Sequence, residues 1–177
     1  MLSATPAHPW VSRGGIKLAA ALDHSGFDPA GCVCLDVGAS TGGFTEVLLA
    51  RGASRVYAVD VGTGQLHPKL REHPAALPLE RTDVRALAAL PEPPTFATID
   101  VSFISLRQVL PAVARLAAAE HRLLALVKPQ FEVGRAHVKK GVVRDPAAHA
   151  AACAGIADRL RALGYALAAT FPSPIAG

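Results

Sequence analysis

Four charged residues stand where a short apolar run gives out: Asp36 after "CVCL", Asp60 after "RVYAV", Asp100 after "FATI" and Lys128 after "RLLALV". In open parallel sheets ligands bind beyond the carboxyl ends of the strands, so charged side chains at those ends are the first candidates for chemistry. The turn after the first run, "CLDVGASTGGFT" from Cys34 to Thr45, is rich in glycine and serine. It fits neither common phosphate loop. Gly38 is followed by Ala39, Ser40 and Thr41 before Gly42, which is not G-x-G-x-x-G, and no Gly-Lys-Ser/Thr is present. Asp36 just before the turn would repel a pyrophosphate and attract an ammonium or sulfonium. Asp60, at the end of the next run, is placed to accept from ribose hydroxyls, and Asp83 could accept from an adenine amino group. An adenosine with a positive centre and an amino acid tail matches this set: S-adenosyl-L-methionine. The alternative is that these aspartates only cap helices.

Such residues need a frame that brings them to one edge. Apolar, often β-branched runs alternate with longer helical patterns, which predicts parallel strands joined by crossover helices. Strands are expected at 32–37, 55–60, 77–81, 96–101, 122–127 and 165–171, and helices at 15–24, 43–51, 65–71, 84–90, 105–119 and 146–163. The fold class is α/β, a doubly wound, mostly parallel sheet. Asp145 followed by Pro146 reads as an N-cap with proline at the first helical position, and Gly164 as the residue closing that helix. Ser105 with Gln108 resembles a capping box, and Pro111 is expected to kink the helix beyond it. "LPEPPT", Leu90 to Thr95, is a stiff connector within one domain.

Composition bounds the partners. A chain of 177 residues with 51% hydrophobic content can bury one sizeable core. No apolar run approaches the roughly 20 residues that span a bilayer, and "MLSATPAHPW" lacks a secretion signal's basic and apolar regions, so the expected location is cytoplasmic. Cys32, Cys34 and Cys153 read as core thiols, and no metal site is expected. The net charge of +4 is concentrated from His121 to Asp145, where six basic residues face two acidic ones. That favours an anionic partner.

The motifs "SRGGIKL", "LDVGASTGGFT", "VYAVDVGTGQL", "LERTDVR", "DVSFISL", "LVKPQFEVG" and "GVVRDP" together resemble the TlyA-type methyltransferases, a group once labelled haemolysins within the FtsJ-like ribose methyltransferases. The resemblance runs from about Val11 to the end of the chain. It implies a Rossmann-like methyltransferase fold and 2′-O-methylation of ribosomal RNA by a lysine, aspartate, lysine, glutamate tetrad. Lys17, Asp100 and Lys128 match the first three. The glutamate has no counterpart, because in the family it follows the "SPxxG" at which this chain stops, Gly177. The sheet's last strand should lie in the same segment. The resemblance places the cofactor against Asp36, Gly38, Ser40, Thr41, Gly42, Gly43, Phe44, Asp60, Val61, Asp83, Val84 and Asp100. It also implies ribosomal RNA or ribosomal subunits as partner, with Arg13, Arg135, Lys139, Lys140 and Arg144 as candidate RNA contacts. Family members usually carry a small S4-type RNA-binding domain ahead of "SRGG", whereas here only Met1 to Trp10 precede it. Residues 1–10 are therefore expected to be an extension or linker, and 11–177 the methyltransferase domain.

The chemistry asks for such residues independently. A ribose hydroxyl is a poor nucleophile, so attack on a sulfonium methyl needs its proton removed or its developing charge stabilised. Lys128 is the candidate to orient and deprotonate it, which would require a pKa depressed by a nearby Lys17 and by partial burial. Asp100 would hold Lys128, and Lys17 would stabilise the alkoxide. Glu132 could stand in for the missing glutamate but reads more simply as a surface residue, and Phe103 and Phe131 read as core. The competing readings are a small-molecule methyltransferase on the same fold and a non-catalytic RNA-binding or membrane-active protein.

Overall fold

The computed structural model of the chain describes residues 8–134, 138 and 141–175. Its elements run α1 (Gly14–Ser25), β1 (Val33–Val37), α2 (Gly43–Ala50), β2 (Arg55–Val59), α3 (Pro68–Arg71), β3 (Ala76–Leu79), β4 (Phe96–Ile99), α4 (Leu106–Leu116), β5 (Arg122–Ala125), α5 (Pro129–Glu132) and α6 (Pro146–Ala162). The five strands pair in parallel in the order β3-β2-β1-β4-β5. The chain walks outward from β1 to β3 and then crosses back to lay β4 on the other side of β1. The carboxyl ends of β1 and β4 therefore flank the point where the strand order reverses, the place where such sheets bind ligands.

Strand alternation sends successive side chains to opposite layers. Leu35 and Val37 of β1, with Val59 and Ile99, pack against Leu106, Val109, Leu110 and Val113 of α4 and Ile156 of α6. Cys34, Val56 and Phe96 face the other way, onto Leu18 and Leu22 of α1 and Phe44, Val47 and Leu48 of α2. Each such fully buried leucine or valine stabilises the fold by about 1.5–3 kcal/mol relative to exposure. Cys34 lies in this second layer, as a core thiol should, while Cys32 and Cys153 are half-buried. Trp10 also packs on this layer, so close to α1 that a Cβ on Gly15 would come within 2.3 Å of its ring. The folded unit thus includes a residue that the sequence assigns to the linker.

Helix ends follow local chemistry. Asp145 accepts from Ala147 N at 2.9 Å with Pro146 in the first turn, and Gly164 takes φ 90° after the last. Ser105 accepts from Arg107 N at 3.1 Å, and α4 then continues through Pro111 as one helix. Three elements differ from expectation. Residues 84–90 form only a three-residue 3-10 turn, Val84–Ala86, and 65–71 shrinks to the single turn of α3. Residues 165–171 belong to no strand, because nothing among the described residues pairs with them. Tyr165 is instead tied to His121 at 2.7 Å, and Phe171 lies against His24.

Candidate active site

The turn after β1 is shaped by close approach of the two central strands. Gly38 has φ +85°, and a Cβ there would stand 2.6 Å from the carbonyl oxygen of Asp100. Only glycine suits both demands. The turn is pinned to β2 by hydrogen bonds from Gly38 N and Ala39 N to the Val59 carbonyl, at 2.9 and 3.2 Å. It leads into α2 through Gly42, where the N-cap residue makes no side-chain cap, while Thr45 N in the first turn is engaged by the buried Asp36 carboxylate. Ser40 and Thr41 are exposed on the turn, whereas Phe44 is buried in the layer with α1. Phe44 can thus supply a backbone contact but not a side chain.

Asp60 follows β2 and stiffens the turn. Its carboxylate accepts from Ser40 N at 2.8 Å and from Gly62 N at 2.7 Å, one oxygen each, which leaves lone pairs on both. Val61 beside it is 73% exposed. Ser40 Oγ also donates to Gln65 at 3.2 Å, so the loop after β2 folds over the glycine turn. A carboxylate with spare acceptor capacity beside an uncovered apolar side chain suits a nucleoside.

Asp36 requires a correction. Expected to face a cationic ligand, it is fully buried, with its oxygens taking hydrogen bonds from Thr45 Oγ1 at 2.7 Å and Thr98 Oγ1 at 3.2 Å. Alternation along β1 turns it into the layer beneath α2. Burial pushes its carboxyl up to about 7, against the opposing pull of the two threonine hydroxyls. It ties α2 to β4 and has no exposed surface to offer a ligand. Asp83 and Val84 shift in the same direction. Asp83 caps the 3-10 turn through Arg85 N and pairs with the Arg85 guanidinium at 2.6 Å, which holds its carboxyl below the usual range. Val84 is buried in the core with α4. Asp83 thus makes the helix-cap contact that the sequence also allows.

At the neighbouring strand ends the expected pair is formed. Lys128 Nζ lies 2.7 Å from Asp100 Oδ1, both side chains being 18% exposed, and donates to Ser102 Oγ at 2.8 Å. Asp100 Oδ1 is itself enclosed and receives no aligned hydrogen bond, so the contact is ionic and the carboxylate keeps accepting capacity. Ser102 thus takes one of the Lys128 donor directions and Asp100 holds the side chain by charge, so Nζ retains capacity for a further partner. Lys17 is half-buried on the first turn of α1, and that turn abuts the start of α2: a Cβ on Gly43 would lie 2.8 Å from Gly15 N. Lys17 makes no ion pair or hydrogen bond among the described residues.

Phe103, expected in the core, is 92% exposed. It holds φ +64°, a conformation that costs an aromatic residue about 1–2 kcal/mol, and its ring lies 5.4 Å from that of Phe131. Glu132 is no free surface residue either. It accepts from Ser105 Oγ at 2.6 Å and from Leu106 N at 2.7 Å, at the start of α4. Of the expected RNA contacts, Arg13 is exposed at the N-cap of α1 and is engaged in a contact of its own, and Arg144 is exposed just before α6. Arg135, Lys139 and Lys140 lie outside the described residues.

Two residues that sequence reasoning misses matter at this edge. Ser102 is found only through its bond to Lys128, although its place two residues after Asp100 is an available signal. Glu46, on α2, accepts from Val11 N at 2.6 Å and pairs with Lys69 of α3. It joins the segment before α1 to the helix that carries the glycine turn, a link across 35 positions that no local pattern announces.

Comparison with known proteins agrees with this geometry. The family model described as FtsJ-like methyltransferase matches residues 10–177. Among curated relatives, the Mycobacterium tuberculosis (strain CDC 1551 / Oshkosh) protein named 16S/23S rRNA (cytidine-2'-O)-methyltransferase TlyA is 47% identical over 171 residues, which is 95% of this chain and 64% of that protein. Hemolysin A of Brachyspira hyodysenteriae is 41% identical over 140 residues, 77% of this chain and 58% of that one. A solved structure from Streptococcus thermophilus, 41% identical, superimposes with a TM-score of 0.94 over 98% of this chain and 64% of its own. The chain thus spans less than two thirds of the length of these relatives.

Proposed function

Since the chain belongs to the FtsJ-like methyltransferase family, we propose that it is an S-adenosylmethionine-dependent ribose 2′-O-methyltransferase acting on ribosomal RNA, free or within a ribosomal subunit. The observation that carries this reading is the Asp100–Lys128 ion pair at 2.7 Å, set beside the glycine turn at the reversal of strand order. A relative named for cytidine-2'-O methylation of 16S and 23S rRNA supports the substrate. The methyltransferase domain is taken as 11–177, joined by Trp10, and the location as cytoplasmic.

The residues present fit the cofactor. The Gly38 cradle has no room for a Cβ, Asp60 retains lone pairs beside exposed Val61, and Asp100 Oδ1 is enclosed without an aligned donor. S-adenosylmethionine, when bound, supplies an electrophilic methyl group. Gly38 to Gly43, Asp60 and Val61 would hold it.

In its neutral form Lys128 Nζ still donates to Ser102 and presents its lone pair to the ribose hydroxyl, whose proton it takes. Asp100 fixes the lysine and compensates the ammonium that results. Lys17, uncommitted on the first turn of α1, steadies the oxygen's developing negative charge. Phe103 offers an uncovered aromatic face three residues from Asp100, which suits stacking on a nucleobase and favours RNA over a small substrate. The test is transfer of labelled methyl from S-adenosylmethionine to ribosomal RNA and to isolated subunits, with analysis of the modified ribose. Labelling of a base, or of a small molecule in preference to RNA, would refute the proposal.

A further inference from the structure

Two segments run side by side at the reactive edge and are tied at three places. The first, 100–106, leaves β4 and starts α4. The second, 128–132, leaves β5 and makes the single turn of α5. Lys128 meets Asp100 and Ser102 at one end, Phe131 lies against Phe103 in the middle, and Glu132 binds Ser105 Oγ and Leu106 N at the other end. Pro129 stiffens the turn between Lys128 and Glu132. The tied loop contains Phe103 at φ +64°, and a strained residue of this kind persists only where its surroundings over-determine it.

We propose that Glu132 is a positioning residue for the reaction: by holding the start of α4 it sets the spacing of the Asp100–Phe103 loop against Lys128. The inference rests on the methyltransferase reading above. Each oxygen of the carboxylate accepts one bond from the start of α4, at the far end of the turn, and the residue acts through the loop. It caps a helix as well, but a cap alone would affect stability and leave turnover unchanged, and the two roles separate by experiment.

Displacement of a reacting group by about 1 Å can cost ~10²-fold in rate. Glu132→Ala should therefore lower kcat by about 10- to 100-fold, with KM for RNA and the dissociation constant of S-adenosylmethionine changed by less than about threefold. Glu132→Gln, which keeps a hydrogen bond to both partners, should restore most of kcat. Val109→Ala, a cavity in the core face of α4 that breaks no tie, should lose comparable stability and keep kcat. Wild-type kcat in Glu132→Ala, an equal kcat loss in Val109→Ala, or a Gln variant as slow as Ala would each overturn the proposal. The last would mean that charge, and not position, is what matters. If Glu132→Ala does not fold, Ser105→Ala removes one of the two bonds and should lower kcat several-fold, and unchanged kcat there would overturn the proposal. Amide hydrogen exchange over residues 101–106 gives a readout independent of turnover. It should speed up in Glu132→Ala at least about tenfold while β1 stays protected. If the wild-type chain transfers no methyl group at all, the function has failed, and the exchange result still decides the positioning.

Discussion

Gly38 and Asp100 touch through their backbones: a Cβ on the glycine would stand 2.6 Å from the aspartate's carbonyl oxygen. The turn proposed to hold the cofactor and the strand end proposed to hold the catalytic lysine are therefore one rigid unit. Gly38→Ala should displace both. The φ of +85° alone costs about 1–2 kcal/mol for alanine, and the clash adds to it. Denaturant unfolding should show a loss of at least that size, and calorimetric titration should show S-adenosylmethionine binding weakened tenfold or more. Unchanged affinity would remove the turn from the cofactor site.

Asp36 should make the protein's stability depend on pH. Its carboxyl is raised by burial from the ordinary 3.8 to about 7, so the folded state holds a proton that the unfolded state has given up. That stabilising contribution is complete below the unfolded pKa and is lost as pH rises through the folded one. Every tenfold difference in proton affinity between the two states corresponds to about 1.4 kcal/mol. Asp36→Asn keeps partners for both threonines and abolishes the titration. Between pH 4 and pH 7.5 the wild type should therefore lose stability relative to the variant. Parallel stability curves would show that the carboxyl is not raised.

Phe103→Gly should separate use from stability. The ring is 92% exposed and the backbone already sits where glycine is at ease. Relief of strain offsets the lost contact with Phe131, so stability should change by no more than about 1 kcal/mol. Methyl transfer to RNA should nevertheless fall at least tenfold. A variant as active as the wild type would show that the exposed ring has no substrate to meet.

Much of this site was legible in the sequence, for a simple reason. A charged residue after an apolar run marks a strand end, and parallel pairing brings strand ends to one edge, so Asp60, Asp100 and Lys128 could be placed without coordinates. Asp36 obeys the same rule yet points elsewhere, since strand alternation decides which layer a side chain enters and a single residue's displacement reverses the answer. The helix expected at 84–90 is one short 3-10 turn, capped by Asp83, because too few residues there keep a helical pattern. The strand expected at 165–171 has β propensity but no pairing partner among the described residues, and propensity alone makes no strand. The partners of Ser102 and Glu132 could not be read from the sequence. Their roles come from contacts 26 and 27 positions away, set by how two loops lie together.

Asp60→Ala should weaken the cofactor without touching the catalytic pair. It removes the acceptor for Ser40 N and Gly62 N and so loosens the glycine turn. The dissociation constant for S-adenosylmethionine, by calorimetry, should rise at least tenfold, while kcat at saturating cofactor stays within about threefold. A loss confined to kcat would put Asp60 in the chemistry instead.

The central claim is that the Lys128–Asp100 pair performs methyl transfer to a ribose hydroxyl, and its most direct measurement is single-turnover transfer of labelled methyl to ribosomal RNA by the wild type and by Lys128→Ala. The variant should bind S-adenosylmethionine as the wild type does and transfer about 10²- to 10⁴-fold more slowly, the usual range for a lost general base. Transfer at the wild-type rate by Lys128→Ala would contradict it.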